Sequence, residues 1–204
     1  MDRYVQELAA FIAAHAVWTA PIMFVVSFGE SFAFLSLLFP GTAIMLAAGA
    51  LIPSGAVPVL PLLFGGITGA ALGDGVSYWI GLRFGHLVPR LWPFSSRPEL
   101  LEHGHAFFHR HGGKSVFIGR FFGPVRAVIP LVAGMMEMEP RRFWVANIAS
   151  AILWAPLLLL PGLLATSVVN VTNGEGGWEW IALLGAVAVV AALALTLWLY
   201  RPKR

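Results

Sequence analysis

Residues 115–139 read SVFIGRFFGPVRAVIPLVAGMMEME. It is apolar enough for a bilayer, yet it holds Arg120 and Arg126 and is interrupted at Gly123-Pro124 and again at Pro130. An arginine at membrane depth costs at least ~2.5–3.5 kcal/mol on insertion scales, so two of them need partners or a polar cavity. A proline inside a helix removes a backbone hydrogen bond and clashes with the preceding turn. Broken backbone at that depth is tolerated only where it is buried in protein or lines a cavity. The stretch therefore predicts a re-entrant hairpin, a half-helix in and a half-helix out, turning near Gly123-Pro124. A continuous helix would send the two arginines to different faces, whereas the break lets them converge.

The whole chain has the composition of an integral membrane protein. Of its 204 residues 58% are hydrophobic and 11% are charged, against roughly 25% charged in a soluble domain. The absence of cysteine excludes disulfides, thiolate metal sites and thiol nucleophiles. The net charge of +3 comes from basic residues beside apolar segments, a topology signal that argues against nucleic acid as a partner. Only Arg3 precedes the first apolar run, which is long and lacks a small-residue cleavage site, so no cleaved signal peptide is expected.

Spanning helices are expected over 8–28, 58–82, 143–169 and 178–200, since ~20 residues cross the hydrocarbon core. A first hairpin is expected over about 30–55, cut at Pro40-Gly41, with the second over 115–139 and a polar turn over 170–177. The region 83–114 looks soluble. In it Ser96-Arg97-Pro98-Glu99 matches a capping box and Gly112-Gly113 supplies a stop, enclosing an amphipathic helix suited to the membrane surface. With the first hairpin entering from outside and the second from inside, every Lys and Arg beyond the second hairpin falls on the cytoplasmic side. The outer turn then carries only Glu175 and Glu179, so both termini are expected to be cytoplasmic. The hairpin exits echo each other, LAAGAL at 46–51 and LVAGMM at 131–136. Opposed broken hairpins in an inverted repeat are the architecture of secondary transporters. The expected fold is thus a single all-α membrane domain over 1–204, with about four transmembrane helices, two opposed re-entrant hairpins and an amphipathic surface helix.

The motif GRFFGPVRAVIPLVAGMMEMEPRRF at 119–143 closely resembles the signature of the bacterial DedA family, also called the SNARE-associated or VTT-domain family. FGESFAFLSLLFPGTAIMLAAGALIPSG at 28–55, GDGVSYWIGLRFG at 73–85 and HGGKSVFIGRF at 111–121 are similar to it in the same order, so the resemblance spans about residues 25 to 165. It implies a multi-pass protein of the bacterial inner membrane. It further implies flipping of undecaprenyl phosphate, linked to the proton motive force and the cell envelope. Carried over by motif, the functional residues are Glu30, Arg120 and Arg126. The family often has a second acidic residue after the first hairpin's Pro-Gly, where this chain has Thr42. Threonine can hydrogen-bond a phosphate but takes up no proton.

Guanidinium forks match phosphate oxygens bidentately, so Arg120 and Arg126 are read as head-group ligands, helped by Thr42, Gly41 and Gly123 at the breaks. The plainer reading is that the arginines neutralise Glu30, and one buried carboxylate against two arginines leaves an excess of positive charge. Glu30 is either a proton-coupling site or a fixed counter-ion. Asp74 is a second coupling candidate, but its spacing to Tyr78 and Arg83 favours a local support. His103, His105, His109 and His111 lack the carboxylate or cysteine partners of a metal pattern and read as a solvated face. No metal or cofactor is expected. No nucleophile–base pair or nucleotide loop is present in the sequence, and His15 and His86 are the only other histidines, so no enzyme is expected. The expected partners are a polyprenyl phosphate, membrane lipids and protons, with a homo-oligomer left open. A proton-coupled cation or small-molecule antiporter is the alternative function, and a non-transporting scaffold a third.

Overall fold

The computed structural model describes residues 16–36, 38 and 40–172. The 178–200 span, both termini, His15 and most of the 170–177 turn lie outside the described residues. Within them the chain forms helices and turns and no strand. The α-helices are α1 (Thr19–Ser31), α2 (Gly41–Leu51), α3 (Val59–Phe84), α4 (Glu99–His111), α5 (Ser115–Gly119), α6 (Ile129–Met135) and α7 (Pro140–Thr172). Two of them are long and apolar enough to cross a membrane, α3 and the Pro140–Thr166 part of α7.

Glycines on α3 set its packing on α1. A Cβ on Gly65 would meet the carbonyl of Ala20, on Gly69 that of Phe24 and on Gly73 that of Phe28. These contacts advance together along both helices, so α1 and α3 run parallel and their backbones nearly touch. The chain between them has to return, and α2 does so, starting beside Glu30. The inbound limb of this first hairpin differs from expectation. Residues 32–36 form tight turns, with Leu35 N–H bonded to Phe32 O at 3.0 Å. The Ala33 N–H donates to Ser77 Oγ of α3 at 3.0 Å rather than to a helical carbonyl. Tertiary contact has taken the donor that a half-helix needs.

The second break is asymmetric too. The five-residue α5 leads through Arg120–Phe122 into a 3₁₀ turn at Gly123–Ala127, and α6 follows. Pro130 lies in the first turn of α6, where its missing N–H is no loss. It starts a helix and does not break one.

The two exits that echo each other in sequence make matching contacts in the structure. A Cβ on Gly49 of α2 would strike the carbonyl of Leu159 in α7, and one on Gly162 that of Leu46. In the other half, a Cβ on Gly134 of α6 would strike the carbonyl of Tyr78 in α3, and one on Gly81 that of Leu131. Each short helix thus crosses the long helix of the opposite half through the same reciprocal glycine contact. Gly134→Ala and Gly49→Ala are expected to push these crossings apart and destabilise by about 1–3 kcal/mol each. Gly113→Ala, whose Cβ meets only Met138 Cε at 3.5 Å, should be near neutral. Thermal unfolding in detergent checks this; equal melting of all three variants would contradict the crossing.

The region 83–114 holds one correction. The Ser96 capping box is not formed: α4 starts at Glu99 with Pro98 as its cap residue and no side-chain cap bond. Ser96 and Arg97 are committed to an earlier turn, their N–H groups both bonded to Pro93 O at 3.2 and 3.1 Å. The stop at Gly112 is as expected, its φ of 58° being open to glycine. The helix is amphipathic, and its inner face covers protein: Leu101 and Gly104 are buried, and Gly104 sits over Val128 and Val132.

Candidate functional site

The two breaks meet in one buried cluster. Glu30 stands in the last turn of α1, Thr42 in the first turn of α2 and Asp74 midway along α3. Arg120 follows α5 and Arg126 lies in the 3₁₀ turn. The Arg126 guanidinium donates to Glu30 Oε1, which also accepts from Thr42 Oγ1. The Arg120 guanidinium donates to Asp74 Oδ2 and to Asn147 Oδ1 of α7. Asn147 is held in turn by donating to Ala71 O at 2.8 Å. Both guanidiniums face the ring of Trp154, at 5.7 Å for Arg120 and 5.3 Å for Arg126, within reach of a cation–π attraction.

The sequence-predicted residues converge, but their pairing differs from expectation. Asp74 does not form a local support with Tyr78 and Arg83. It pairs with Arg120, while the Tyr78 hydroxyl donates to Met138 O. Two carboxylates therefore face two arginines, and the expected excess of positive charge is absent from the cluster. Gly41 serves the cluster through its missing side chain: a Cβ there would collide with the Glu30 carboxylate. Gly123 opens the turn that carries Arg126.

The two ion pairs are not equivalent. The Arg120 and Asp74 side chains are 5% and 7% exposed, while Arg126 is 19% exposed beside a 6% exposed Glu30. Glu30 Oε2 and Arg120 Nε are buried without a hydrogen-bond partner. Between the four charged groups, Pro130 and Trp154 is a cavity of about 10 Å³, room for roughly one water. The four charged groups close around this space, leaving no room for anything larger while both pairs are made.

Asn147 and Trp154 escaped the sequence reading. The available signals were an uncharged amide inside an apolar span and a tryptophan away from the span ends, where aromatic belts lie. Elsewhere, burial and the neighbouring His109 hold the His105 imidazole below its ordinary range, so this one ring stays neutral more readily than a free histidine. Among the described residues no three His, Asp or Glu gather as a metal site.

The VTT domain profile matches residues 39–164, a region that holds every residue of this cluster except Glu30. The inner membrane protein YabI of Escherichia coli (strain K12) is 36% identical over 183 residues, covering 88% of this chain and 72% of YabI. The protein DedA of the same strain is 33% identical over 161 residues, covering 76% and 73%. The inner membrane protein YqjA is 29% identical over 175 residues, covering 85% and 80%. No solved structure matches the chain. With its profile match across most of the chain and these relatives covered over more than two thirds of their length, the chain belongs to the DedA family of VTT-domain membrane proteins.

Proposed function

We propose that this protein flips a polyprenyl-phosphate carrier lipid, undecaprenyl phosphate, across the bacterial inner membrane, with protons as the coupling ion. The observation that carries the reading is the convergence of Arg120 and Arg126, from one broken segment, on a buried site with Glu30 and Asp74. Guanidinium forks suit a phosphate, and here each is already bonded to one carboxylate. Binding is then an exchange: protonation of a carboxylate frees its arginine for the lipid phosphate, and deprotonation returns the arginine and expels the phosphate. Thr42 releases Glu30 and bonds either the phosphate or a water. The lipid tail stays in the bilayer.

In this reading the broken segments are opposed re-entrant hairpins among four spans, with both termini cytoplasmic, and the protein makes and breaks no covalent bond. The charge balance of the cluster favours one other reading, a proton-coupled cation antiporter, because a neutral site has no built-in preference for an anion.

The test is reconstitution in liposomes of defined pH gradient. Flipping of undecaprenyl phosphate should be lost in Arg126→Ala and partly restored in Arg126→Lys, which keeps charge without the fork. Wild-type flipping by Arg126→Ala would sink the phosphate reading, and proton-driven cation flux without lipid movement would establish the antiporter.

A further inference from the structure

A second, larger cavity lies outside this cluster, between α4 and the 3₁₀ turn. It measures about 570 Å³ and is lined by His103, Phe107, Arg110, His111, Phe122 and Val125, in the size class of small-molecule sites. Its polar side chains are an arginine and two histidines, and no carboxylate lines it. Its apolar wall is a pair of aromatic rings, Phe107 and Phe122, with centroids 5.7 Å apart. Arg110 makes no ion pair among the described residues. The wall is shared with the buried cluster: Val125 lines the cavity, its neighbour Arg126 reaches Glu30, and the Arg126 N–H bonds Phe122 O at 3.3 Å.

Positive charge beside an aromatic wall is the complement of an amphiphile with an anionic head. We propose that this cavity is an interfacial vestibule that holds the phosphate head group of a lipid at Arg110, with its first tail carbons against Phe107 and Phe122. This rests on the lipid-phosphate reading above and adds a second site to it. The 3₁₀ turn is then the partition between vestibule and buried arginines, and a head group passes from one to the other as that turn moves. Lipid is chosen over free phosphate because a free anion has no use for the two rings.

Native mass spectrometry of the delipidated full chain, titrated with undecaprenyl phosphate, tests it. Wild type should take up two lipids per chain and Arg110→Gln one, with the lost site weakened about tenfold or more, the value of a charge-assisted hydrogen bond. Arg110 is exposed, so Arg110→Gln should melt as wild type does, which separates a binding defect from misfolding. Phe107→Leu should weaken the same site, and undecaprenol should not fill it. Wild-type stoichiometry and affinity in Arg110→Gln overturns the vestibule, whatever Arg126→Ala does. Equal uptake of undecaprenol, or displacement by inorganic phosphate as effective as by the lipid, overturns it as well. If Arg110→Gln loses a lipid while Arg126→Ala binds as wild type, the vestibule stands and the buried-site reading falls.

Discussion

Asp74→Asn should destabilise the protein by about 3–5 kcal/mol, the cost of leaving a buried charge without its partner. Arg120 would then keep its charge at a site where its side chain is 5% exposed, because a guanidinium cannot shed its proton in a protein. Asn147 would still accept one N–H, but it brings no negative charge. Arg120→Ala should cost less in charge terms, since the stranded Asp74 can take up a proton and become neutral. The double variant Asp74→Asn/Arg120→Ala removes both charges and should recover part of the loss, giving a coupling energy outside the additive range. Chemical or thermal unfolding in detergent measures all three. If Asp74→Asn melts with wild type, the buried pair is not what holds α3 to the second break.

Glu30→Gln should separate binding from stability. The Arg126 end of this pair is 19% exposed, so water reaches the stranded guanidinium and the loss should be well below that of Asp74→Asn. The glutamine amide oxygen can still accept from Arg126 and Thr42, which preserves the geometry while removing the competing charge. The sign follows from the exchange proposed above. Deprotonated Glu30 competes with phosphate for Arg126, so wild-type lipid affinity rises as pH falls and Glu30 takes its proton, until the lipid itself loses charge. Glu30→Gln fixes the protonated condition: lipid affinity at neutral pH rises, its pH dependence flattens, and turnover falls because release is no longer assisted. Affinity and melting temperature, measured at several pH values on both sides of neutrality, decide it. A variant that unfolds as readily as Asp74→Asn makes Glu30 a fixed counter-ion. One that keeps the wild-type pH dependence removes it from coupling.

The two ion pairs are thus expected to act differently, Asp74–Arg120 holding α3 against the second break and Glu30–Arg126 exchanging partners. Primary sequence offered no ground for that division. Glu30, Asp74, Arg120 and Arg126 were each legible as charges too costly to leave alone in apolar segments. Which carboxylate meets which arginine depends on helix positions far apart in the chain, and local spacing, the only distance a sequence offers, points Asp74 to Tyr78 and Arg83 on its own helix.

What the sequence determined by itself was set by local chemistry. Apolar length located α3 and α7, and Pro40-Gly41 and Gly123-Pro124 located the breaks, because proline's lost N–H and fixed φ are joined there to glycine, a poor helix former. Gly112 ended α4 for the same kind of reason. The repeated exit sequences pointed to two related halves. Only the tertiary structure decided that Asp74 completes a charge-balanced cluster, that Asn147 and Trp154 belong to it, and that Ser96 caps nothing. It also turned the inbound limb of the first hairpin into turns, since Ser77 of α3 takes the Ala33 N–H. The physical reason is the same in each case. A backbone break is a property of one or two residues, whereas a buried charge or a free donor is satisfied by whichever helix the fold brings within hydrogen-bond reach.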